Sequence, residues 1–271
     1  NSRWGDKWYD SATPIYMQFK KSTGLKSLST VASSKRKNRS PLEDIREFRS
    51  RHELDDDLTL FFQLHRKTEK AFHLQHNVLR SYEQPPWSRA VYVAPLLLNK
   101  DKYHAALFDS LSRSLLDPYF HAIQYKIHQR FWVSHLFSVP LLREHVCIPP
   151  HEHVVDNNHY YAYSETGTDI SWHSPSIVDE GPKRLSDFMS NLFRQALDDP
   201  ESMVSKQAVA DRIVANAAQM GFEFQPNGLE DSPIGVLGQH GRWLRKEFGI
   251  RQFILLGNSE KLKKIRDADP S

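Results

Sequence analysis

The chain has one cysteine, Cys147, in 271 residues, so no internal disulfide can form and the fold rests on a packed core. No apolar run approaches the ~18 residues needed to cross a bilayer, and the first residues show no apolar leader. These absences point to a reducing cytoplasm and away from secretion or a membrane. Glycine is sparse, and no glycines are spaced as a phosphate-cradling loop, a dinucleotide fingerprint or a Gly-x-Ser-x-Gly elbow. Nucleotide-dependent and serine-hydrolase chemistries therefore lose their usual signatures.

Hydrophobic residues at 39% and charged residues at 25% describe an ordinary globular chain, long enough for one large domain or a medium domain with an appendage. The net charge of +3 is small but uneven. Between Lys20 and Arg51 ten basic residues stand against Glu43, Asp44 and Glu47, which makes this segment +7 and the rest of the chain −4. Within it, Lys21, Lys26, Lys35, Arg36, Lys37 and Arg39 are candidates for gripping the phosphates of a nucleic acid, and a solvated loop is the competing reading.

The hydropathy pattern alternates strand and helix. The stretch Pro14–Ser22 begins as a strand and ends as a charge cluster, and a short helix is expected at Pro41–Arg51, a buried strand at Leu58–His65, and a helix from Thr68 to the Gln84-Pro85-Pro86 stop. A second buried strand follows at "AVYVAPLLL", then a helix over 102–116, a strand at "FWVSHLF" and a hairpin about Gly167. From residue 182 the pattern is mainly helical, with stripes at 185–196, 205–220 and 236–248 and the strand "IRQFILL". These features predict an α/β domain over 1–181 with a mixed central sheet, and a mainly helical C-terminal lobe over 182–271 suited to a protein partner.

The strand "PIYMQFK" carries the candidate chemistry. Alternation sends Ile15, Met17 and Phe19 to one face and Tyr16, Gln18 and Lys20 to the other. Asp10, or Asp6, lies close enough in sequence for a bend to bring its carboxylate to the same place. Asp10, the Gln18 carboxamide oxygen and the Phe19 backbone carbonyl would supply oxygen ligands to Mg²⁺ or Mn²⁺. Lys20 would orient the attacking water or offset the charge that develops on a phosphodiester.

An aspartate followed by an apolar strand with Gln-x-Lys resembles the catalytic half-motif of the PD-(D/E)xK nuclease superfamily. The likeness is to the Mrr-type variant, in which Gln replaces the usual acid. The matching positions are Asp10 (or Asp6), Gln18 and Lys20. The longer string "YD…PIYMQFK", "LQH" and "VYVAP" is also similar to a group of bacterial proteins that supplies no function to carry over. The nuclease resemblance implies a restriction-endonuclease-like fold with a helix ahead of the strand, upstream of Asn1. It also implies metal-dependent hydrolysis of nucleic acid, DNA before RNA, in restriction or antiviral defence. The alternative is a non-catalytic nucleic-acid-binding or scaffold subunit on the same fold.

Other constellations carry less. His151, Glu152, His153, Asp156 and His159 cluster in a stretch rich in proline and asparagine, which reads as a turn before it reads as a zinc site. His76 shares a helical face with Phe72 and Leu79 and is expected to be a hydrogen-bonded core histidine. Cys147 is two residues from His145, and no nucleophile pair is expected there. The aromatic residues Trp4, Trp8 and Trp132 are expected in the core rather than stacked on bases.

Overall fold

The structure, a computed structural model, describes residues 9–25, 41–51, 53, 58–65, 73–105, 140–167, 170–172, 183–224 and 232–268. Strand β1 spans Ser11–Phe19, and its burial is nearly continuous rather than one-sided. A strand flanked on both sides and covered on both faces takes this character. It pairs in parallel with β4 (Arg89–Pro95), Ile15 opposite Arg89 and Phe19 opposite Val93. On its other side it runs antiparallel to β9 (Arg251–Gly257), Ser11 opposite Gly257 and Met17 opposite Arg251. With β5 (His145–Ile148) and β8 (Lys183–Arg184), these strands form a mixed sheet in the order β8-β5-β4-β1-β9.

A second, antiparallel sheet has the order β2-β3-β6-β7, from Thr23–Gly24, Thr59–Gln63, Tyr160–Ser164 and Ile170–Trp172. The hairpin expected about Gly167 is its β6-β7 pair, Ala162 opposite Ser171. Leu60, Phe62, Tyr161 and Tyr163 of this sheet meet Tyr16, Tyr92, Ala94 and Ile148 of the first in one buried cluster. Sheet-on-sheet packing of this kind needs aromatic and branched residues on facing sides, and the tyrosine-rich strands provide them.

The opposite face of the first sheet is covered by a helix. Helix α1 is Pro41–Arg51, α2 is Gln75–Ser81, α3 is Pro140–Arg143 and α4 is Leu185–Asp198. Leu185, Phe188 and Leu192 recur on one side of α4 and pack on Ile15, Met17, Val91, Val93 and Cys147. Helices α5 (Lys206–Gln219) and α6 (Pro233–Phe248) pack around Ala12 through Val209, Ile213 and Leu237. Ser205 and Ser232 cap them by accepting from Ala208 N at 3.2 Å and Gly235 N at 3.1 Å. Helix α6 ends at Gly249, whose φ of +64° closes the αL cap before β9. Helix α7 is Ser259–Ala268.

The α/β class is as expected, but one central sheet has become two. The predicted boundary at 181/182 cuts the first sheet, because β8 and β9 both come from its C-terminal side and α4 covers the face built by β1, β4 and β5. The expected strand "FWVSHLF" and most of the 102–116 helix lie outside the described residues, of which 100–105 are helical. No helix among the described residues is long and apolar enough to cross a membrane.

Candidate functional site

The two ends of β1 hold the residues singled out in the sequence. Gln18 and Lys20 do share a face, as the alternation requires, but that face is the inter-sheet core and not solvent. Gln18 is 2% exposed and Lys20 is 7% exposed. The second sheet accounts for this: Lys20 Nζ lies 5.9 Å from the Phe62 ring centre on β3 and 5.2 Å from the Tyr92 ring centre on β4.

From α2, Gln75 reaches the same place. Its Oε1 accepts from Lys20 Nζ at 3.4 Å, a long bond, while its Nε2 donates to the Phe248 carbonyl at the end of α6. Gln18 Oε1 is buried and accepts no hydrogen bond from the described residues. Burial pulls the Lys20 amine down to about 7. The charge of Lys20, and then burial, holds His65 below its ordinary value. Burial chiefly does the same to His76, whose Nδ1 meets Tyr92 Oη at 2.8 Å and whose Nε2 meets the His151 and Glu152 carbonyls at 2.9 and 2.8 Å. Since both carbonyls accept, Nε2 carries the proton and Nδ1 accepts from the tyrosine.

Asp10 is elsewhere. Eight residues of extended chain separate it from Gln18, roughly 26 Å. Its carboxylate accepts from Ser259 N at 3.0 and 3.2 Å and from Ser259 Oγ at 3.1 Å, at the start of α7. The bend that would have returned it to Gln18 does not occur, because β9 and α5 hold both sides of the strand's beginning. Asp10 N donates to Gly257 O at 3.1 Å, and Lys206 N donates to Asp10 O at 3.0 Å.

One cation therefore cannot be held jointly by Asp10 and by Gln18 with the Phe19 carbonyl. The Mg²⁺ or Mn²⁺ site read from sequence does not fit these residues. Asp6 lies outside the described residues, and among those residues no group of three His, Cys, Asp or Glu side chains is placed to hold a metal.

The 149–159 loop has a structural use instead. Its backbone clasps His76 and also Asn77, whose Nδ2 donates to Val154 O at 2.7 Å and whose Oδ1 accepts from Val154 N at 3.0 Å. His151 and His159 each lie 3.5 Å from an acid of the same loop, Glu152 and Asp156. Cys147 is buried against α4, and burial pushes its thiol up, far from a nucleophile's range.

The basic segment divides. Lys21 is exposed, whereas Lys20 and Arg49 are buried and cannot face a phosphate backbone. Lys26, Lys35, Arg36, Lys37 and Arg39 lie outside the described residues.

The other face of β1 carries a feature the sequence reading did not single out. Phe19 is 46% exposed and Phe253 is 45% exposed, both beyond the cover of α4. Register places Phe253 opposite Ile15, four residues from Phe19, so the two rings stand roughly 13 Å apart along the strands. Arg251, opposite Met17, lies between them with its guanidinium carbon 5.9 Å from the Phe19 ring centre. Ring, guanidinium and ring thus form a row on an open sheet face, next to exposed Lys21.

A groove of about 510 Å³ runs between α4 and the first sheet at the far ends of the parallel strands, with Arg89, Lys183 and Arg194 among its walls and Asp198 and Asp199 opposing them. Its charges are mixed, and Arg89 is already paired with Glu83 at 2.8 Å. No family model, curated protein or solved structure matches the chain.

Proposed function

We propose that this protein is a nucleic-acid-binding module that takes single-stranded segments on the exposed β1/β9 face. Base planes would stack on Phe19 and Phe253, and Arg251 and Lys21 would meet the backbone. The observation that carries this reading is the Phe19, Arg251, Phe253 row. Two large rings left in water on a sheet face, with a guanidinium between them, match the general design of a sequence-tolerant stacking platform. Without the buried Lys20 and Arg49, the segment after β1 still carries a net charge of +5, which adds a sequence-independent attraction for phosphates. Binding is preferred to cutting because Asp10 and Gln18 sit at opposite ends of a nine-residue strand.

The test is fluorescence anisotropy with labelled single-stranded DNA, single-stranded RNA and duplex DNA. Single strands should bind more tightly than duplex, and Phe19→Ala or Phe253→Ala should each weaken binding about tenfold, the usual scale of one lost stack. Arg251→Ala should also lower the salt slope by about one. Single-strand affinity that the Phe19→Ala, Phe253→Ala double variant leaves unchanged would overturn the platform. Parallel incubation of plasmid and single strands with Mg²⁺ or Mn²⁺ addresses the nuclease resemblance. Cleavage that is lost in Lys20→Ala would replace binding with hydrolysis as the protein's activity.

A further inference from the structure

Among the described residues, Lys20 on the opposite face of β1 has no counter-charge and only one long hydrogen bond, to Gln75, and the neighbouring Gln18 Oε1 has no hydrogen-bond donor. Lys20 meets no carboxylate among the described residues; its charge is felt instead by His65 and His76, which add no negative charge. Tyr92, beside both His76 and Lys20, stays neutral because burial raises its phenol well above the ordinary value. Gln18 Oε1 accepts no hydrogen bond from the described residues. Gln75 cannot rotate to serve Gln18, because its Nε2 is committed to the Phe248 carbonyl and this fixes its Oε1 toward the amine. Native interiors satisfy nearly all such groups, so an exception calls for an explanation, and an unseen ligand is one.

We propose that Lys20 and Gln18 form a binding site for a small monocarboxylate that carries a hydroxyl group, glycolate being the simplest example. The charge sets the class: one lysine neutralises one carboxylate, whereas a phosphate dianion would remain half compensated among Phe62 and Tyr92. The orphaned acceptor sets the hydroxyl, since a carboxylate cannot donate to Gln18 Oε1 but an adjacent O–H can. Exposed His65, close enough to feel the amine's charge, puts the site near solvent. This site is independent of the Phe19 and Phe253 face, which lies on the other side of the strand.

Proton linkage gives a signature that a surface ion pair would lack. The free amine, drawn down to about 7, is largely neutral at pH 8 and must gain a proton to pair with the carboxylate. Isothermal titration of acetate, glycolate and inorganic phosphate into the full chain, in two buffers of different ionisation enthalpy, measures that proton directly.

Glycolate should bind about fivefold more tightly than acetate, the usual scale of one hydrogen bond, and phosphate more weakly than either. Binding should take up close to one proton at pH 8 and little at pH 6. Lys20→Met should abolish binding, and Gln18→Leu should remove the preference for glycolate while keeping the proton uptake. Absence of glycolate binding, binding without proton uptake at pH 8, or phosphate tighter than glycolate would each overturn the site, and these readings on the unmodified protein need no variant to fold.

Discussion

The beginning and the end of β1 present the same strand in opposite chemical states. At the beginning, the charged group has its partners. Asp10 accepts from Ser259 and its backbone is bonded on both sides, while Ala12 N donates to Val204 O at 3.0 Å. The packing there is so close that a Cβ on Gly257 would sit 2.8 Å from Ser11 Oγ and 2.7 Å from Met203 Sδ. At the end, an amine and a carboxamide are buried with one long hydrogen bond between them and Gln75. The carboxylate is consumed in holding the fold together, and the amine is left available. A residue's chemical capability is therefore set by what its neighbours leave unsatisfied, more than by its type.

The sharpest way to break the comparison is to remove the buried amine. Its folded value of about 7 lies below the 10.5 of a free lysine, so between these values the unfolded chain binds more protons than the folded one. Stability therefore rises with pH across that window, and the penalty from Lys20 is fully present below about 7. The shift corresponds to a penalty on the order of 4 kcal/mol at neutral pH. Lys20→Met keeps the length and the apolar contacts, and it should stabilise the protein by about 2–4 kcal/mol at pH 7 and by little near pH 10. Urea denaturation at the two pH values reads this directly. An equal effect at both, or a loss of stability at pH 7, would show that the amine is satisfied in solution.

A smaller effect is expected at Gln18. Replacing an unpaired buried acceptor with an apolar group of similar size removes a desolvation penalty and breaks no hydrogen bond made by its Oε1. Gln18→Leu should raise stability by about 1 kcal/mol, measured in the same urea titration at pH 7. Ordinary behaviour for a hydrogen-bonded core glutamine would be the reverse sign, so the direction alone decides.

Alternation in "PIYMQFK" was enough to place Gln18 and Lys20 together and Phe19 opposite them, because a strand's period is local. Which face meets water was not legible, since that depends on β3, β6 and α4, remote elements whose packing no window around β1 encodes. The same limit explains the exposed ring of Phe253. "IRQFILL" reads as a strand, but only its edge position and the reach of α4 leave that ring open. Gln75 stood inside the "LQH" string, but as a first-turn residue of α2 it had no pattern that tied it to Lys20. The proximity of Asp10 to Gln18 in sequence pointed the wrong way, because an unbroken strand converts a short separation into a large distance. Lys20 and Arg49 entered the basic segment by type, and the fold takes both out of solvent.

An effect of similar size and opposite sign is expected at the satisfied end. Burial alone would raise the Asp10 pKa, but hydrogen bonds from the Ser259 backbone and hydroxyl outweigh it and hold the carboxyl below its ordinary value. The ionised group also sits at the start of α7, where a negative charge meets the unpaired N–H groups of the first turn. Its contribution is present above the unfolded value near 3.8 and is lost as pH falls through the lower folded value. Asp10→Ala should destabilise by about 1 kcal/mol at pH 7, the scale of a lost helix cap, with Asp10→Asn recovering part of it. As pH falls below the unfolded value near 3.8, the gap between wild type and Asp10→Ala should narrow as the wild-type carboxyl takes up its proton. A loss of stability that persisted unchanged into acid would assign Asp10 a role that does not depend on its charge.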